Sequence, residues 1–162
     1  MEKQVYTVKP VGQVRTGSEG FMIEIDEVFR PGLSGLRGFS HLVAVWWATL
    51  TDTKECRSLT TFDKPYTKGP EKIGVFATRS PARPNPIGIS TVALIDVDMH
   101  SGIIRIPWID AEDGTPVLDL KPYHPSEDRV RDVSVPGWCS HWPLWLEKSG
   151  DFKWDEEFVF ED

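Results

Sequence analysis

Arg79, Arg83 and Asn85 fall in one stretch, Gly74-Val-Phe-Ala-Thr-Arg-Ser-Pro-Ala-Arg-Pro-Asn-Pro-Ile-Gly-Ile-Ser90, which also carries Pro81, Pro84 and Pro86. Guanidinium groups read carboxylates and phosphates through paired N–H donors, so the chemistry on offer is capture of an anionic ligand. Proline fixes φ and donates nothing, which excludes all three from a central strand. The residues before them (Ser80, Arg83 and Asn85) are driven into extended geometry. The outcome is a stiff loop whose carbonyls no ladder uses and which loses little entropy on binding. In extended backbone the three polar side chains share one side, and polyproline twist spreads them. Such a loop can also do no more than connect two strands, but connection alone does not require these polar groups.

Phe-Ala-Thr-Arg-Ser-Pro-x-Arg-Pro-Asn-Pro-Ile-Gly-x-Ser resembles the signature of the TsaA-like (YaeB-like) family. Gly35-Leu-Arg-Gly-Phe-Ser-His-Leu42 and Asp113-Gly-Thr-Pro-Val-Leu-Asp-Leu-Lys-Pro-Tyr123 are similar to two further blocks of it, in the family's order. That family contains tRNA methyltransferases that use S-adenosyl-L-methionine to methylate a threonylcarbamoyl-adenosine beside the anticodon. The resemblance therefore implies that methyl donor, tRNA as partner, a small β-barrel and a homodimer. It also implies cofactor contacts at Arg79, Ile89 and Pro107-Trp108-Ile109-Asp110.

The residues themselves suit that donor. Its carboxylate calls for a guanidinium, and its sulfonium tolerates carbonyl oxygens and aromatic faces but not a lysine. Arg79 beside unladdered carbonyls meets those needs, with Asn85 as a second cofactor contact. Asp110 can hold the ribose or the amine, or be a solvated turn residue. Trp108 can stack or belong to the core. Methyl transfer mainly requires alignment of donor and acceptor. An acceptor nitrogen must also lose a proton, for which Asp119 and Tyr123 are the candidate catalytic residues. Arg83, Lys121 and His41 are candidates for substrate binding, and Asn85 can share in it. Asp119 and His41 can equally hold turns.

Two departures from the family leave the acceptor open. Ala48-Thr49-Leu50 stands where many members have an aromatic residue and a histidine. Arg30-Pro-Gly replaces the Pro-Arg-Gln loop of the tRNA enzymes, and no extension follows Asp162. A methyltransferase for a small molecule and a non-catalytic S-adenosylmethionine-binding or interaction module are the alternatives.

Composition bounds these readings. The 162 residues, 40% hydrophobic and 27% charged, describe an ordinary globular chain. The expected organisation is one domain over 1–146 with an acidic segment at 147–162. No apolar run approaches a membrane span and the charged start is no signal peptide, so the expected location is cytoplasmic. Cys56 and Cys139, far apart and without clustered histidines, give no expectation of a metal. The net charge of −7 argues against indiscriminate nucleic-acid binding. It is unevenly spread: residues 147–162 carry −5, whereas five bases against Glu71 give 64–83 a local +4.

The elements that must position these groups read as strands. Val5–Val14, Phe21–Val28, His41–Leu50, Ile73–Thr78, Ile87–Met99, Ile103–Ile109 and Val117–Leu120 are apolar, β-branched or alternating. Phe21, Ile23 and Ile25 are expected to face inward. Trp46 and Trp47, adjacent in a strand, must point to opposite faces. Thr51–Gly69 reads as a long loop, Ser140–Lys148 as a short helix and Phe152–Phe160 as a last strand. Arg30 to Gly38 has glycine at every third position, yet matches neither the phosphate-loop nor the dinucleotide fingerprint. The expected fold is therefore mainly β, a small single barrel of antiparallel or mixed strands with little helix, not a Rossmann-type methyltransferase.

Overall fold

Alternation decides the first hairpin. In the computed structural model, which describes residues 4–18 and 20–159, Gly12–Gly17 (β1) pairs antiparallel with Gly20–Ile25 (β2). Ile23 and Ile25 are buried and Phe21 packs beside them, as period two requires. The remaining strands of the main sheet are His41–Trp47 (β3), Ile87–Ala93 (β6), Asp96–Asp98 (β7), Ile103–Ile106 (β8) and Pro116–Pro122 (β9). A separate hairpin joins Thr61–Asp63 (β4) to Lys72–Gly74 (β5).

The seven-stranded sheet runs in the order β6-β3-β9-β1-β2-β8-β7, and all its pairings are antiparallel. The fold is mainly β with little helix. No closed barrel is found among the described residues. The two edge strands are successive in the chain, because Leu94 and Ile95 divide the expected Ile87–Met99 strand into β6 and β7. The backbone N–H of Leu94 still bonds Ser40 and that of Ile95 bonds Arg105, so the chain changes partners between them. Val14, Ile23, Leu42, Ile104 and Val117 centre the core. The turn after β7 requires glycine: Gly102 has φ +78°, and a Cβ there would stand 2.6 Å from the Ile25 carbonyl oxygen.

Several expectations give way to longer-range packing. Residues 5–10 form no strand. Thr51–Gly69 is not an open loop. It holds a helix, Lys54–Ser58 (α1), whose cap Thr53 accepts the Cys56 N–H at 3.1 Å, and then β4. A second short helix, Pro125–Asp128 (α2), follows β9. The helix expected at Ser140–Lys148 is replaced by 3-10 turns at Gly137–Cys139 and Leu146–Asp151. The expected last strand is a 3-10 turn, Trp154–Glu156, and one bridge between Phe158 and Tyr66; Phe160 lies outside the described residues.

An aromatic cluster explains that outcome. Trp138 stacks on Tyr66 at 4.9 Å, and Trp142 meets Tyr66, Trp138 and Trp154 edge-on. Such pairs fix geometry as well as bury area. The buried Glu157 carboxylate accepts from His141 Nε2 at 2.7 Å and Trp142 Nε1 at 3.1 Å. These hydrogen bonds hold it below its ordinary carboxylate range.

Candidate functional site

Cross-strand register gathers the candidate residues on one face. Along β3, Leu42 and Ala44 are buried, so His41, Val43, Val45 and Trp47 point the other way. Ile89 of β6 and Asp119 of β9 flank Val45 on either side. Thr91 and Lys121 flank Val43 in the same manner. Directly paired residues share a face, so Ile89, Asp119 and Lys121 all project outward. Ile89 and Asp119 are thus separated by two strand spacings, about 10 Å.

A bulge in β9 makes this possible. Val45 pairs with Asp119 but Trp46 pairs with Val117, so Leu118 is the extra residue. Were Leu118 a regular member of the ladder, strict alternation would place Asp119 on the same face as the fully buried Val117. Asp119 instead forms an ion pair with Lys121 at 2.8 Å, on the solvent side. At the end of the row, the Tyr123 N–H donates to the His41 carbonyl at 3.0 Å, and the two rings meet edge-on at 6.3 Å. The His41 ring exchanges a hydrogen bond with Ser40 Oγ at 2.9 Å.

Arg79 approaches the other end. Its Nη2 donates to the Ile89 carbonyl at 2.7 Å on the outer edge of β6. Of the five N–H donors a guanidinium carries, this bond uses one, and the side chain is exposed. Beside it, Ile89 is half exposed at 51%. A guanidinium with spare donors next to an open apolar strip fits a ligand with a carboxylate at one end and an apolar body.

The proline loop is held by donors from outside it. The Ala48 N–H bonds the Pro86 carbonyl at 2.8 Å, Thr51 Oγ1 bonds that of Pro81 at 3.0 Å, and Arg57 Nη1 reaches that of Pro84 at 3.3 Å. Arg83 turns inward on the loop itself, toward the carbonyls of Thr78 and Ser80 at 3.4 and 3.5 Å. Asn85 is exposed, with its carbonyl accepting the Ile87 N–H at 2.7 Å.

The segment Pro107 to Asp110 lies elsewhere. Ile109 is buried in the core and its side chain is closed to any ligand, whereas Pro107 and Trp108 are exposed. Asp110 lines a cleft of about 190 Å³ with Trp46, Leu50, Pro81 and Glu112. Trp46 points opposite to Trp47 and walls this cleft. The candidate cofactor residues are therefore divided between the Arg79–Ile89 strip and the cleft at the loop's other side.

Sequence reading missed the residues that hold the Trp46 wall. Its Nε1 donates to Ser90 Oγ at 3.0 Å, and the indole lies over Gly88, where a Cβ would stand 2.2 Å from the ring. The Gly-x-Ser ending of the proline block was the available signal. The basic stretch is also less positive than its composition. Lys64 pairs with Glu71, Lys72 with Asp63 at 3.2 Å and Lys68 with Glu157 at 3.9 Å. Arg79 and Arg83, bonded to carbonyls, have no carboxylate partner among the described residues. Among the described residues no cluster of His, Cys, Asp and Glu could hold a metal, and no helix is long and apolar enough to cross a membrane.

Comparison with known proteins gives the chain its relatives. The model of the tRNA-methyltransferase O N-terminal domain matches residues 9–129. A Pyrococcus abyssi protein named a probable S-adenosyl-L-methionine-binding protein is 41% identical over 129 residues, covering 80% of this chain and 65% of that protein. The tRNA (adenine(37)-N6)-methyltransferase of Escherichia coli is 43% identical over 103 residues, covering 62% of this chain and 43% of the enzyme. A crystal structure of TrmO superposes with a TM-score of 0.63 at 29% identity, covering 82% of this chain and 64% of that one. The chain thus spans less than two thirds of these relatives.

Proposed function

The chain belongs to the tRNA-methyltransferase O N-terminal domain family, and from that membership we propose that it is an S-adenosyl-L-methionine-dependent methyltransferase acting on the adenine N6 at position 37 of tRNA. The finer acceptor in this reading is threonylcarbamoyl-adenosine. The observation that carries it is the single outward face on which Ile89, Asp119, Lys121, His41 and Tyr123 are assembled, with Arg79 at its edge.

When bound, the donor supplies a methyl group on a sulfonium. Arg79 binds its carboxylate with the donors that Ile89 leaves unused, and Ile89 packs against its apolar part. Asp119 accepts the acceptor's proton, with Lys121 orienting the carboxylate. His41 and Tyr123 border the acceptor, and Arg83 and Asn85 meet it from the loop. Asp110 and Trp108 serve the donor only if it extends toward the cleft. The functional unit in this reading is 1–146, with the acidic segment 147–162 packed on or extending from the same domain, acting as a cytoplasmic homodimer.

The test is transfer of labelled methyl from S-adenosyl-L-methionine to tRNA purified from a strain lacking the homologous enzyme. Label in the position-37 nucleoside is expected. Donor binding by calorimetry without label in tRNA would overturn the acceptor and favour a small molecule, a reading to which the three paired lysines lend weight. Absence of donor binding by folded protein would leave a non-catalytic module.

A further inference from the structure

The proline loop's own hydrogen bonds, from Arg79 and Arg83 to nearby carbonyls, leave its proline carbonyls to outside donors. Three of its members lack an N–H, and the carbonyls of Pro81, Pro84 and Pro86 are satisfied by the segment from Ala48 to Arg57. Within that segment Arg57 has the most partners. Its Nε pairs with Asp52 Oδ1, its Nη1 reaches the Pro84 carbonyl, and its guanidinium lies 5.3 Å from the centre of the Trp47 ring. Asp52 in turn accepts the Trp47 Nε1–H at 2.8 Å on its other oxygen. The carboxylate, the indole and the guanidinium therefore form a closed triangle, with one guanidinium nitrogen left over for the loop. The hydrogen bonds from Arg57 and then Trp47 hold the Asp52 carboxyl below its usual range, so the triangle keeps its charges at neutral pH.

We propose that Arg57, fixed by Asp52 and Trp47, is a positioning residue that sets the proline loop and thereby presents Arg79 to the methyl donor. The inference rests on the donor reading above. A planar fork suits the site: it serves Asp52 and Pro84 at once while lying against an aromatic face, a geometry that an ammonium on a flexible stem holds less rigidly. Arg57 itself reaches no residue of the Arg79–Ile89 strip; its influence passes through the loop backbone.

Two measurements on the full chain test this. In ligand-free protein, hydrogen exchange of the amides from Thr78 to Ile89 should accelerate at least tenfold in Arg57→Ala, with the β1–β2 amides unchanged. In calorimetry with S-adenosyl-L-methionine, the same variant should bind at least tenfold more weakly. Arg57→Lys and Asp52→Asn, milder changes that guard against misfolding, should move both readouts the same way to a smaller extent. The double variant Asp52→Asn with Arg57→Ala should be no worse than Arg57→Ala alone. Unaltered loop exchange in Arg57→Ala overturns the positioning role, whatever the wild type binds. Faster loop exchange with donor affinity within twofold of wild type overturns the link to the donor. A wild type that binds no donor overturns the functional reading instead, and the exchange result still decides whether Arg57 holds the loop.

Discussion

Arg79 donates through Nη2 to the carbonyl of Ile89 at 2.7 Å, ten residues further along the chain. The bond ties the entry of the proline loop to the strand that leaves it. It also leaves the guanidinium at the sheet edge, with most of its donors facing outward. If those donors take the donor's carboxylate, Arg79→Ala should weaken binding by about 10- to 100-fold, the span of a charge-assisted hydrogen bond. Thermal stability should change little, because the residue is exposed. Calorimetry on folded variant protein reads the first quantity and calorimetric melting the second.

Asp119 is solvent-facing and paired to Lys121, which suits a proton acceptor more than a core contact. Asp119→Asn should slow methyl transfer by about 10²- to 10⁴-fold while donor affinity stays within twofold. Single-turnover transfer alongside a donor titration separates the two. Equal loss in both would place Asp119 in binding.

Trp46 and Gly88 leave no space between them. Gly88→Ala puts a methyl group where the indole lies, which should cost about 1–3 kcal/mol of stability by overpacking. Ser90→Ala removes the acceptor of the indole N–H and should cost about 1 kcal/mol. Urea unfolding measures both, and the greater loss is expected at Gly88.

Glu157 makes the aromatic cluster sensitive to acid. Its pKa is lowered from the ordinary 4.5, first by the His141 hydrogen bond and then by that of Trp142. A carboxyl depressed in the folded state stabilises above its unfolded pKa and loses that contribution as pH falls through the folded value. Stability should therefore decline on acidification below about 4.5, and Glu157→Gln should flatten that limb. Tryptophan fluorescence during unfolding at stepped pH follows the loss.

Binding to RNA should depend on salt less than the composition suggests. Lys64, Lys68 and Lys72 already face carboxylates, which leaves less of their charge to neutralise phosphates. Arg83→Ala should lower the slope of log affinity against log salt by about one, and Lys72→Ala by less. Fluorescence anisotropy with labelled tRNA supplies the slopes.

These outcomes also mark what a linear reading can reach. The alternation of Phe21, Ile23 and Ile25 is local, and so is the stiffness of the proline block; both are legible because φ restriction and period two act over a few residues. The pairing of Lys72 with Asp63 and of Lys68 with Glu157 depends on a hairpin and on a distant turn. Local charge counting could not find it. The aromatic C-terminal stretch reads as helix and strand by composition, yet Tyr66, remote in sequence, draws it into turns. Ile109 had a role implied by likeness to a family, and its burial removes the side chain from any ligand.

The extra residue at Leu118 divides one strand into two halves with separate obligations. Upstream of it, inward positions answer to the interior; downstream, the odd-numbered positions answer to whatever docks on the outside. Changes at Asp119 or Lys121 then alter the outer surface while Val117 keeps the interior filled. Deleting Leu118 would leave Val117 inward and Asp119 outward in a regular ladder, whereas keeping it in regular alternation would turn Asp119 and Lys121 to the inner face.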